Sequence, residues 1–188
     1  MATNLVKVTE QTPIVWANSS DYSSTVSGLT RTDQIDLTSI ASAGAREGTQ
    51  KDMEATRWTE YKVSAAFEFA SGTVSGETVD IYWAGSPQST ATDANPGGIT
   101  GTDADYTGTA GDSLTDSLKQ LIFIGSLVTT SDNTTVVQYA NVGTLSGSGI
   151  LRYGAPVVVN NSTGALVSNA VEMYIALTPI APDVQAAV

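Results

Sequence analysis

From Val63 to Phe69 the apolar side chains Val63, Ala65, Phe67 and Phe69 alternate with Ser64, Ala66 and Glu68. A period of two matches a strand with one buried face; a helix would scatter these side chains around its axis. The rhythm returns at Val79, Ile81 and Trp83, and again at Val171, Met173, Ile175 and Leu177. Strands are therefore expected over 56–70, where Trp58 leads the run, over 78–83, and over 171–180. Ser71 to Gly76 reads as a turn, so residues 56–84 predict an antiparallel hairpin.

Shorter runs fill in the rest. Leu5 to Val8 and Ile14 to Trp16 are strand-like, and Ile35 to Ile40 alternates as a half-buried strand would. Gln120 to Thr130 is apolar enough for a central strand, and Thr134 to Gly143 returns after a turn at Asp132-Asn133. Tyr153 to Val159 forms a strand in which Pro156 suggests an edge or a bulge. The tail from Pro182 is expected to be loose. Asp112 to Lys119 predicts one short helix with Asp112 or Ser113 as N-cap. Residues 85–111 lack any apolar period, and loops of that length are functional or disordered. About eight to ten strands joined by Gly-rich turns predict an all-β antiparallel β-sandwich. Eight strands in two sheets is the jelly-roll number. Residues 1–45 are expected to form an extended N-terminal arm with the first strands, and 46–188 the sandwich, in a single domain.

Composition narrows the function. Charged residues are 14%, about half the usual share, so the surface is polar but weakly charged, as where protein faces protein. Eight Lys and Arg against 19 Asp and Glu leave a net charge of -11, which argues against nucleic acid and anionic membrane as partners. The chain has no Cys and no His, so thiolate chemistry is excluded and the commonest general base and metal ligand are missing. No signal-peptide pattern and no run long enough for a membrane span is present. The Asn-x-Ser/Thr sites at Asn18, Asn133, Asn160 and Asn161 read as chance matches in a Ser- and Thr-rich chain.

Candidate sites are few. Asp103-Ala104-Asp105-Tyr106-Thr107-Gly108 opens like a calcium loop, but position twelve falls on Leu114, where a bidentate Glu is required. Asp103 and Asp105 are thus metal candidates only by partial match, and no cofactor is expected. Glu68, Glu77, Asp80 and Glu172 lie near strands but form no recognisable catalytic pair, and the chain is read as a non-enzyme. Trp58 and Trp83 fit the inward phase of their strands and are expected in the core. A sugar-binding sandwich using Tyr82, Trp83 and Tyr106 is the competing reading, with Tyr106 as a surface ligand contact.

Several phrases resemble small virion structural proteins of tailed bacteriophages. They are Ala65-Ala66-Phe67-Glu68-Phe69, Val79-Asp80-Ile81-Tyr82-Trp83-Ala84, Asn95-Pro96-Gly97-Gly98 and Leu121-Ile122-Phe123-Ile124-Gly125. Arg152-Tyr153-Gly154, Val157-Val158-Val159-Asn160-Asn161, Glu172-Met173 and Thr178-Pro179-Ile180 complete the likeness, which spans roughly 30–180. The resemblance implies a capsid cement or decoration protein of jelly-roll type, or else a tail, neck or fibre-adaptor component. It implies a virion location after assembly in the host cytoplasm. Implied partners are the major capsid protein or other virion proteins and further copies of the chain, a trimer being favoured. An ordering N-terminal arm would place Leu5, Val6, Val8, Ile14 and Trp16 against a partner.

Overall fold

The structure, a computed structural model, describes residues 5–53, 57–70, 72–89, 95–131, 136–147 and 150–185. In chain order the strands are β1 (Leu5–Glu10), β2 (Ile14–Ala17), β3 (Asp33–Gln34), β4 (Ala45–Glu47), β5 (Lys51–Asp52) and β6 (Glu60–Phe69). They continue with β7 (Thr78–Ser86), β8 (Ala104–Asp105), β9 (Ile122–Val128), β10 (Val136–Ser146), β11 (Tyr153–Asn160) and β12 (Tyr174–Gln185). Two short helices, α1 (Ser24–Ser27) and α2 (Leu114–Leu118), and a 3-10 turn at Pro96–Gly98 accompany them.

The strands form two sheets. One has the order β10-β6-β12-β2-β3, with β1 also on β12; the other has β8-β4-β11-β7-β9, with β5 also on β11. The antiparallel pairs nest: β2 with β12, β4 with β11, β6 with β10 and β7 with β9. Successive pairs alternate between sheets, as in a long hairpin rolled on itself. The molecule is an antiparallel β-sandwich, and its connectivity is consistent with a jelly roll.

Trp16, Tyr61, Val63, Phe67, Phe69, Val79, Ile81, Trp83, Ile175 and Leu177 fill the space between the sheets. Trp16 and Trp83 are fully buried and meet edge to face, with ring centroids 5.7 Å apart. Each large side chain buried in this way contributes about 1.5–3 kcal/mol. The Trp83 ring occupies the space that a Cβ on Gly154 would need.

Several expectations are corrected. β6 and β7 do not form a hairpin; they lie in different sheets, and their apolar faces meet across the core. Period two identifies the buried face but not whether a neighbour lies beside the strand or opposite it. Ile35, Leu37 and Ile40 are buried, but the strand there is only Asp33–Gln34. β11 is central, with Pro156 inside it. The Pro156 carbonyl accepts from Gly48 N, so its missing N–H points to the same side, where β4 and β5 are interrupted. β9, expected to be central, is an edge strand. The tail is not loose up to Gln185, since Ile180–Gln185 pairs with β1.

The outer faces are covered too. Residues 18–32, through Tyr22 and Leu29, pack on Val15, Ala17, Ala66, Tyr174 and Ala176 of the first sheet. On the second sheet Ile99, Tyr106, Leu114, Leu118 and Leu121 pack on Ala84, Ala155, Val157 and Val159. This explains the unbroken Val157-Val158-Val159 run: β11 is buried on both faces. α2 starts at the expected Ser113, whose side chain accepts from Asp116 N.

Candidate interaction surface

β12 outruns its sheet. Its pairing with β6 ends at Pro179 and Tyr61, and its pairing with β2 ends at Leu177 and Ile14. Among the described residues it carries only β1 from Ile180 onward, so the two strands form a ribbon extending past the sandwich. Lys7, Val8, Thr9 and Glu10 are all exposed, Val8 at 69%. One ion pair, Lys62 to Glu10 at 3.4 Å, joins the ribbon to β6. Both partners are exposed, so it adds little. A two-stranded ribbon is marginal in water, and among the described residues no strand pairs with the outer edge of β1, an arrangement suited to strand addition.

The five residues expected to form an arm contact separate in the structure. Val8 lies exposed on the ribbon, and Leu5 and Val6 belong to the same strand. Trp16 is a core side chain whose Nε1 donates to Thr49 O, and Ile14 packs against that core. Neither is free to order on another chain, because removing them would hollow out the sandwich. The projecting arm is therefore β1 alone, and residues 14–45 contribute β2, β3 and core side chains.

The Asp-rich segment is an internal clamp. Asp103 accepts from Arg46 Nε at 2.7 Å, Gln34 Nε2 at 2.9 Å and the Asp36 backbone N at 2.9 Å; Asp105 accepts from Arg46 at 3.0 Å. Both carboxylates are engaged by Arg46, and among the described residues no group of three His, Cys, Asp or Glu side chains could hold a metal. Tyr106 is not a surface contact. It is 4% exposed, and its hydroxyl donates to Gly97 O at 2.5 Å. Burial, with the nearby Glu47 charge, pushes its phenol up to about 12. Gly97 has φ of 65° and no room for a Cβ beside that hydroxyl, so the Asn-Pro-Gly-Gly turn is shaped to seat the ring. Trp83 is buried as expected, so two of the three aromatics of the sugar-binding reading lie inside the protein. Trp58 packs against the core while lining a cleft of about 560 Å³ with Met53 and Tyr61, beside the Asp33–Lys51 ion pair at 3.1 Å.

No sequence motif singles out Glu47. It is 1% exposed and accepts from Thr100 N at 2.9 Å and from Thr100 Oγ1 at 2.5 Å, which ties the 95–103 excursion to β4. Burial raises its pKa above the ordinary 4.5 despite those hydrogen bonds. The native state thus takes up the proton before the unfolded chain does. Stability from this group rises as pH falls through the folded value and levels off below 4.5. In urea titrations, wild type should gain on Glu47→Gln between neutral pH and about pH 4.5; a gap independent of pH would refute this.

The other carboxylates act as staples. Glu77 accepts from Val74 N, Thr163 N and Thr163 Oγ1, and Asp80 accepts from Ser126 Oγ and Asn161 Nδ2. Glu68, on the outer face of β6, is half-buried; burial first, then the Glu172 charge, raises its pKa. Of the four Asn-x-Ser/Thr sites, Asn18 and Asn160 are buried, Asn161 is exposed, and Asn133 lies outside the described residues.

A second surface follows from the edge position of β9, which the apolar run of that strand conceals. β9 and β10 end their respective sheets and meet along one flank. A bulge in each, at Ile124 and at Val142, turns the strands toward one another. A Cβ on Gly125 would fall on the Val142 carbonyl, and one on Gly143 on the Ile124 carbonyl. Five of the eight exposed large apolar side chains among the described residues lie on these two strands: Ile122, Phe123, Val128, Val136 and Tyr139. A signal for this surface exists in the chain, because Asp132 is the only charged residue between Lys119 and Arg152.

Comparison with family models, with curated proteins and with solved structures finds no match to this chain. Among the described residues no helix is long and apolar enough to cross a membrane.

Proposed function

We propose that this chain is a structural protein of a tailed-phage virion, a cement or decoration protein that stabilises the head shell by docking on its major capsid protein. The observation that carries the reading is the β1–β12 ribbon: an exposed strand past the sandwich that, among the described residues, has one neighbour and an outer edge with which no strand pairs. Such an edge docks by strand addition, in which backbone hydrogen bonds supply affinity and alternate side chains supply specificity. The sandwich supports the same reading by analogy, since jelly rolls serve as capsid domains, although fold alone does not assign function. The low charge content and the resemblance of residues 30–180 to phage virion proteins agree with it.

The test is co-sedimentation of the purified chain with expanded heads and with tails of the phage that encodes it. Full-length protein should pellet with heads. A variant lacking residues 1–10 should keep its circular dichroism spectrum and lose about 100-fold or more in apparent affinity, as expected when one contact of a multivalent array is removed. Pelleting with tails instead would move the protein to the tail or neck, and pelleting with neither would sink the proposal.

A further inference from the structure

We propose that the cleft beside Trp58 binds an uncharged oligosaccharide. This inference goes beyond the virion reading and does not depend on it. The cleft holds about 560 Å³, inside the roughly 300–1,000 Å³ range of small-ligand sites, and the half-buried Trp58 lines it together with a few polar groups. Two of those groups have hydrogen-bonding capacity left over. Asp33, whose side chain is 12% exposed, accepts from Thr32 Oγ1 at 2.8 Å and from Lys51 Nζ at 3.1 Å, both through Oδ2. Its Oδ1 has no donor among the described residues. Tyr61 is 1% exposed and lines the same cleft. Its hydroxyl accepts from Trp58 N at 3.1 Å, and among the described residues no group accepts its proton. Polar groups so deeply placed are normally satisfied by water or a ligand. Lys51 adds N–H donors beyond the one given to Asp33.

This mixture of groups selects the ligand. A sugar hydroxyl donates and accepts at once. One of a neighbouring pair can donate to Asp33 Oδ1 while the other accepts from Lys51 Nζ, and a third hydroxyl can accept from Tyr61. The C–H face of a pyranose ring suits the indole of Trp58. Other ligand classes fit less well. An anion would face Asp33 and Asp52 in a chain of net charge -11. A cation would have to displace Lys51 from Asp33, and an apolar ligand would bury that pair without giving it a partner. The site is longer than one ring, because a second depression shares Gln50 and Asp52 with it and continues to Thr102 and Tyr153. Both shared side chains are already held, Gln50 by Gln88 O and Asp52 by Arg152, so little order has to be created on binding. Tyr82, Trp83 and Tyr106 line neither depression.

Tryptophan emission reads this site selectively. Trp16 and Trp83 are fully buried, so Trp58 is the indole that a solute can reach. The full-length chain is screened on an array of neutral and acidic glycans, then titrated with glucose-, galactose- and N-acetylglucosamine-based oligosaccharides and with oligogalacturonate as the anionic counterpart. At least one neutral oligosaccharide should shift the emission and protect it from acrylamide, and oligogalacturonate should not. Trp58→Ala should weaken that binding about tenfold or more by calorimetry. Because the Trp58 ring also packs on the core, Asp33→Asn is the second variant. Its amide oxygen can keep Thr32 and Lys51, while its NH2 replaces the open acceptor with a donor. Its thermal midpoint should stay close to that of wild type, and its affinity should fall about tenfold or more. Tyr82→Ala should bind as wild type does. A chain that binds no neutral glycan on the array would overturn the proposal. So would oligogalacturonate binding as tightly as the neutral sugars, or binding that survives Asp33→Asn and is lost in Tyr82→Ala.

Discussion

Asn160→Ala is expected to lower the stability of the fold by on the order of 4 kcal/mol, a large part of the roughly 5–15 kcal/mol that holds most domains together. Asn160 ends the central strand β11 and is 0% exposed. Its Nδ2 donates to Ile40 O, Ala41 O and Gly164 O, and its Oδ1 accepts from Ser162 N and Ser162 Oγ. One side chain thus fastens the 38–44 segment and the 161–164 turn to the sheet. Alanine would remove five hydrogen bonds at once, at about 0.5–1.5 kcal/mol each; Ile40 O, Ala41 O and Gly164 O would keep Leu166 N, Gly44 N and Ser162 Oγ, but the buried Ser162 N would lose its acceptor. The segment it holds is already strained. Ser39 and Ala43 have φ of 55° and 60°, a region side-chain-bearing residues rarely occupy and keep only when their surroundings enforce it. The urea midpoint of Asn160→Ala measures the loss. Asn161→Ala is the matched control, because Asn161 is exposed and its side chain makes one hydrogen bond, to Asp80. A loss for Asn160→Ala no larger than the control's would show that the knot carries little.

The parts of this fold that can be read from the chain are those where a side chain's phase decides its environment. Trp83, Val63, Phe67, Ile175 and Leu177 all face the core, as alternation requires. The short helix starts at Ser113 because a hydroxyl there can take up an orphan N–H, which is a local effect. Which strand lies beside which is not legible in the same way. β6 and β7 carry the pattern of a hairpin and sit in opposite sheets, because a buried face looks the same from either arrangement. β9 is rich enough in apolar residues to pass for a central strand, yet it is an edge whose surplus faces outward at Phe123 and Val128. The 95–111 excursion has no period because it is mostly neither strand nor helix; it is ordered by tertiary contacts such as Tyr106 to Gly97 and Glu47 to Thr100. Asp103 and Asp105 are visible as acids, but their role depends on Arg46, 57 residues before the first of them.

Gly125→Ala should be as damaging as the loss of Asn160, and by a different route. A Cβ at Gly125 falls on the carbonyl of Val142, a backbone group that cannot rotate away as the end of a side chain could. The two strands would have to part. Parting them exposes Ile124 and Val142, which pack on the core, and loosens the contacts of Leu127, which is 1% exposed. A loss of roughly 3 kcal/mol or more follows from overpacking together with lost burial. Gly147→Ala provides the comparison. Gly147 has φ of 70°, and a methyl group placed there would meet nothing within 4 Å, so its cost is backbone strain alone, about 1–2 kcal/mol. If Gly125→Ala unfolds no earlier than Gly147→Ala, the seam is not a closed one. The consequences reach past stability. Opening the seam frees two strand edges, and free edges pair indiscriminately. Gly125→Ala should thus aggregate more readily than Gly147→Ala, while the β1–β12 ribbon, which shares no pairing with β9 or β10, is left as it is.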